Sequence, residues 1–136
     1  MTVKLSDAVR NAMLDAYETA IGASAKLLIY TGTPPATLGA AATGTLLATL
    51  NLPADWMAAA SAGSKAKQGA WQATATGSGD AGYYRILSSS NVAHEQGTVG
   101  IVGDTENPGD LLINNTNIAS GQTIVVSTFT KNAGNP

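Results

Sequence analysis

The sequence predicts a mainly β fold, a sandwich or barrel of short strands preceded by one α-helix. Three observations point there. Beyond Gly22 the chain breaks into short segments of alternating apolar and polar residues separated by turn residues, the pattern of packed sheets. Fifteen glycines and five prolines supply the turns. Only the stretch before Gly22 has helical spacing. At 136 residues one domain is expected, with an N-terminal segment and helix over 1–22, a β-sandwich over 23–130 and a flexible tail over 131–136.

The helix is predicted from Asp7 to about Ile21, with Ser6 as N-cap, Asp7 at the positive end of the dipole and Gly22 as the stop. Leu5, Val9, Met13, Tyr17 and Ile21 recur every four residues beside Ala12, Leu14, Ala16 and Ala20. They form an apolar stripe, with Arg10, Asp15 and Glu18 away from its centre. Either the helix covers an open end of a sheet or it is an arm laid on a neighbour; the cover is favoured.

Strands are expected near Lys26–Thr31, Thr45–Leu52, Ala70–Thr76, Tyr83–Ser88, Val92–Val99, Leu111–Asn114 and Thr123–Thr130. In the second, Leu46, Ala48, Leu50 and Leu52 share one face and Leu47 lies on the other. The last is apolar on both faces, which predicts a central or covered strand. With Ala abundant and Phe and Trp scarce, the expected core is thin and built from Leu, Ile, Val and Ala. The long stretches Gly32–Gly44 and Ala58–Gly69 read as loops, the first mobile in isolation. The polar end Lys131–Pro136 is expected to fray.

Composition narrows the function classes. The formal charge of −2, with acids and bases interspersed, offers no basic stripe for a nucleic-acid backbone. The absence of cysteine removes disulfides, thiolate metal sites and Cys nucleophiles, and suits the cytosol. The N-terminus lacks the apolar region of a signal peptide, and no stretch is long enough to span a membrane, so a soluble protein is expected.

A search for catalytic groups finds little. His94 and Glu95 are neighbours on a predicted strand and so point to opposite faces. Ser88, Ser89 and Ser90 have turn composition. Asp104, Glu106 and Asp110 in the loop Gly103–Asp110 are hard oxygen ligands, but their spacing matches no EF-hand, and a solvated turn is favoured. Gly97, Gly100 and Gly103 spell no dinucleotide fingerprint. No catalytic role, metal or cofactor is assigned.

Trp56 and Met57, just after Pro53, stand at the head of an Ala/Gly loop. Trp56 is read either as a plug of one end of the sandwich, its indole N–H reaching a loop carbonyl, or as an interface anchor; the plug is favoured. Lys65 and Lys67 in the same loop are able to meet an acidic patch on a partner or simply to be solvated.

The segments SDAVRNAMLDAYETAIGASAKLLIYTGTPPA, GTLLATLNLPADWM, AGYYRI and IASGQTIVVSTFTKNAGNP, in this order and over nearly the whole chain, resemble small virion structural proteins of tailed bacteriophages. Within that group the chain looks like the capsid cement, or decoration, proteins, as found in a short-tailed phage of Bordetella. The resemblance implies a jelly-roll-like antiparallel β-sandwich that binds the outside of an HK97-like major capsid protein shell and stabilises the head against internal DNA pressure. It implies a virion location on the capsid exterior, assembly in the bacterial cytoplasm, and neither enzymatic activity nor a nucleic-acid or membrane partner. Many modest contacts would act together over the lattice, with self-association as a homodimer on a local two-fold axis. The expected contact positions are the N-terminal segment, Trp56, Met57, Lys65, Lys67, Lys131 and Asn132. A tail or baseplate component, a carbohydrate-binding sandwich and a wall-degrading enzyme are the competing classes. The last two are disfavoured by the few aromatics and by the lack of a paired acid and base.

Overall fold

The computed structural model describes residues 3–104 and 109–133. Helix α1 (Asp7–Ile21) precedes β1 (Lys26–Thr31), β2 (Leu46–Asn51), β3 (Ser64–Ala66), β4 (Trp71–Thr74) and β5 (Gly79–Leu87). Strands β6 (Ala93–Ile101), β7 (Leu111–Ile113), β8 (Asn117–Ile118), β9 (Thr123–Val126) and β10 (Thr130–Asn132) follow. The result is a mainly β sandwich with one helix near the N-terminus.

The helix ends are local in origin. Ser6 Oγ accepts the Val9 N–H at 3.2 Å, and Gly22, at φ 92°, donates its N–H to Glu18 O at 2.8 Å. The inward face differs from the predicted stripe: Leu14 and Ile21 are buried and Arg10, Asn11, Tyr17 and Glu18 half-buried, while Val9 and Met13 are 47% and 54% exposed. Residues four apart drift by about 40° per step around a helix of 3.6 residues per turn. A strict four-residue repeat therefore winds off the core face, and α1 covers its own chain through Leu14, Tyr17 and Ile21.

The main sheet runs β2-β1-β5-β6-β7, with β8 beside the start of β5. Its described pairs are antiparallel except β6–β7, which is parallel. The β4–β9 and β3–β10 pairs form two further small sheets. Strand β9, expected to be central or covered, is therefore not central in a large sheet. Its second edge is covered instead by Asn114, whose side chain accepts the Val125 N–H at 3.0 Å and donates to Thr123 O at 3.0 Å. On the other side, Thr76 N and Gly77 N donate to Leu47 O, which links the end of β4 to β2.

A bulge corrects the predicted facing of β2. Ile29 pairs with Ala48 but Tyr30 with Leu46, leaving Leu47 as the extra residue. A bulge resets strand alternation, so Leu47 and Ala48 are both fully buried while Leu46 is 38% exposed.

The inner row of the sheet, through Leu27, Ile29, Leu50, Tyr84 and Ile86, packs against Trp71, Ile124, Val126 and Phe129. Few as they are, the large aromatics are central. Trp56–Trp71, Trp71–Phe129 and Tyr84–Phe129 ring centroids lie 5.9, 5.2 and 6.4 Å apart, in the tilted and edge-on arrangements that aromatic pairs prefer. Two predicted loose segments are also structured. The stretch Ala58–Gly69 contains β3, and the expected fraying tail begins with β10, which pairs with it; residues 134–136 lie outside the described residues. The loop 32–44 folds over the outer face of the sheet, where Thr43 donates its N–H to Tyr83 Oη at 2.9 Å and accepts the Tyr83 hydroxyl proton at 2.7 Å. Gly82 permits this return: a Cβ there would lie 1.9 Å from Gly32 O.

Candidate functional site

The residues expected to make contacts converge on one region, the clasp between α1 and β10, but three of the six named ones face inward. Trp56 and Met57 have 0% and 1% exposure and Lys65 has 1%. These three belong to the interior, because side chains without accessible area have none to offer a partner. Trp56 takes the plug position: its indole N–H donates to Gly22 O at 2.9 Å, and its ring lies 5.9 Å from that of Tyr17.

In the β3–β10 pair Lys65 stands directly opposite Lys131. Like charges facing each other destabilise a sheet, and each is answered by acids from another element. Lys65 Nζ meets Asp15 Oδ1 at 2.7 Å, Glu18 Oε1 at 2.9 Å and Ala58 O at 2.8 Å. Lys131 pairs with Glu95 of β6 and lies over the rings of Tyr17 and Phe129, 5.4 and 5.2 Å from their centroids. Glu95 also accepts the hydroxyls of Tyr84 at 2.6 Å and Tyr17 at 3.0 Å. Arg10 Nε donates to Ala133 O at 2.9 Å, and Asn11 Oδ1 accepts the Gly63 N–H at 2.9 Å. Helix, β3, β6 and β10 are thus joined by charge-assisted hydrogen bonds, the stronger class. Lys67 is half-buried and donates to Gly69 O, while Asn132, paired with Ser64, is exposed.

The electrostatics follow from this geometry. The hydrogen bond from Lys65, then that from the Ala60 amide, holds the Asp15 carboxyl below the usual carboxylate range. Burial opposes the charge on Lys65, yet its hydrogen bonds to Asp15 and Glu18 outweigh that and raise its pKa. Burial first, and the Glu95 charge second, push the Tyr17 and Tyr84 phenols well above their ordinary value, so both stay protonated donors. The arrangement holds elements together. His94 is the extra residue at the irregular step between the Ile86–Glu95 and Leu87–Ala93 pairs and is exposed. Asp110 accepts the Thr98 N–H at 3.0 Å, and Glu106 lies outside the described residues. Among the described residues no cluster of acids or histidine is placed to hold a metal, and no helix is long and apolar enough to cross a membrane.

Sequence reasoning missed Arg10, Asn11, Asp15, Glu18 and Glu95 as parts of the clasp. The one available signal was helical spacing: Asn11, Asp15 and Glu18 step by four and three residues along one side of α1. The outward side of the same helix remains apolar, with Val9, Ala12, Met13, Ala16 and Ala20 exposed and Val3 just before it at 69%. Compared with known proteins, the chain matches no family model, no curated protein and no solved structure.

Proposed function

We propose that this chain is a bacteriophage capsid cement protein, a contact part and not a catalyst, which binds the outer surface of an HK97-like major capsid protein shell and stabilises the head against internal DNA pressure. The reading rests on the resemblance of four segments, in their order along the chain, to small virion structural proteins. The sandwich fold and the clasp agree with it. A part under mechanical load gains when its outlying elements are fastened, and here Arg10 of α1 bonds Ala133 just beyond β10 while Lys131 of β10 pairs with Glu95 of β6. The contact surface assigned to the shell is the N-terminal segment, with Val3, Val9 and Met13 outward; a homodimer on a local two-fold axis would place two such surfaces across neighbouring capsid subunits. Modest contacts of this size need repetition over a lattice to act as cement.

The test is the number of copies of this chain per major capsid protein in purified heads separated from tails, by quantitative mass spectrometry. A ratio near one in heads supports cement. A handful of copies in the tail fraction would replace it with a tail or baseplate component.

A further inference from the structure

Arg85, in the middle of the outer face of the main sheet, is 6% exposed and, among the described residues, is paired with no carboxylate. Its contacts are neutral: Nε donates to Gln96 Oε1 at 3.1 Å, and Nη2 reaches Thr37 O at 3.4 Å. The second is at the outer limit of a hydrogen bond. A guanidinium buried without a counter-charge is costly, and the cost is relieved by a carboxylate that matches its two-pronged donor geometry.

The surroundings suit an acidic visitor. The three cross-strand rows through Lys26, Arg85 and Tyr83 hold two basic side chains; the one acid at their border is Asp110, which accepts the Thr98 N–H and hydroxyl at the far end of the Tyr83 row. Beside Arg85, Tyr30 and Tyr83 stack on each other with centroids 5.0 Å apart and planes 12° from parallel. What covers Arg85 is the loop 32–44, held by backbone atoms: Pro35 O accepts Gln96 Nε2 at 2.7 Å, Thr37 O accepts Arg85, and Thr43 meets Tyr83. Its side chains are exposed except for the half-buried Pro34, Pro35 and Leu38. Lifting it uncovers the fully buried Tyr83 ring and breaks its two hydrogen bonds to Thr43, so the visitor's contacts with that ring and with Arg85 have to offset this cost.

We propose that the outer face of β1, β5 and β6 is a docking site for an acidic segment of a partner protein, whose Asp or Glu carboxylate takes the place of Thr37 O on Arg85 as the loop 32–44 swings aside. Gln96 positions the guanidinium and Lys26 adds attraction at the rim. This face is separate from the outward side of α1, and the inference does not rest on the cement reading; the copy-number test is untouched by its failure.

The experiment titrates the full chain, isotopically labelled, with a hexaglutamate peptide at fixed ionic strength. It follows the Arg85 Nε–Hε resonance and the Thr37 amide by NMR, with hexaglutamine and inorganic phosphate as separate arms. Expected are saturable shifts at both positions with hexaglutamate alone. R85K keeps the charge but not the fork and should bind at least about tenfold more weakly. No saturable shift in the unaltered protein, an equal response to hexaglutamine or to phosphate, or undiminished binding by folded R85K overturns the proposal. The unaltered-protein titration decides the matter even where R85K fails to fold.

Discussion

Lys65 Nζ lies 2.7 Å from Asp15 Oδ1 while the lysine itself is 1% exposed, so a strand residue buried in the sandwich is neutralised by the helix that covers it. An unpaired ammonium in that position would cost several kcal/mol, which makes helix docking a condition for closing β3. K65A should therefore destabilise by about 3 kcal/mol, from lost pairing and lost stem packing. K65M keeps the stem and should lose about half as much, its residual loss coming from Ala58 O left without a donor. Urea midpoints of the two variants check this. A K65M midpoint equal to the unaltered protein's would show that the ion pairs add nothing net.

Stability should be level from about pH 5 to 9 and fall on either side. The folded-state pKa of Asp15 is lowered. Its contribution is therefore present above the unfolded carboxyl value and lost as pH falls through the folded one. Lys65, Tyr17 and Tyr84 are raised. Their contributions are complete below the unfolded values near about 10 and are lost as pH rises through the folded ones. Because Asp15 is half-exposed its share is modest, and D15N should flatten part of the acid limb. Urea midpoints measured across pH that show no acid decline would contradict the assignment.

Removing the Trp56 plug should loosen the junction of α1 with β1. W56F deletes the hydrogen bond to Gly22 O and part of a fully buried ring, for an expected loss of about 2–3 kcal/mol. Thermal unfolding monitored by Trp71 fluorescence reads it, and an unchanged midpoint would count against the plug.

The Glu95 carboxylate ties Lys131, Tyr17 and Tyr84 together. E95A should release β10 before the rest unfolds, raising amide exchange at Lys131 and Asn132 by about tenfold or more while β1 and β5 stay protected. Uniform acceleration over all strands would mean that Glu95 supports the whole core and not the chain end.

Under the cement reading, V9E and M13E should leave stability within about 0.5 kcal/mol, since both side chains are exposed, and should lower the copies retained on purified heads. Full retention by the double variant would move the contact surface away from α1.

The helix from Asp7 to Ile21, its Ser6 cap and Gly22 stop, and β1 from Lys26 to Thr31 are legible in the sequence because short-range chemistry sets them. The facing of Val9 and Met13 is not, since a four-residue repeat leaves the direction of the core to what packs beneath. The short strands β3, β8 and β10 have too few residues to show alternation, and the pairing of β3 with β10 joins segments more than sixty residues apart. Lys65 shows the difference most clearly. In a Gly- and Ala-rich stretch a lysine reads as solvated, and only Asp15 and Glu18 arriving from the helix make its burial sustainable.

The sequence by itself determined the mainly β class, the single helix and its ends, and most strand locations, because local periodicity, turn residues and capping act over a few neighbours. Tertiary structure decided which faces are buried, where the Leu47 bulge reverses β2, and how the chain end is clasped to the helix. Those outcomes depend on the pairing of distant charges and rings, whose energies exist only once the sheets have closed.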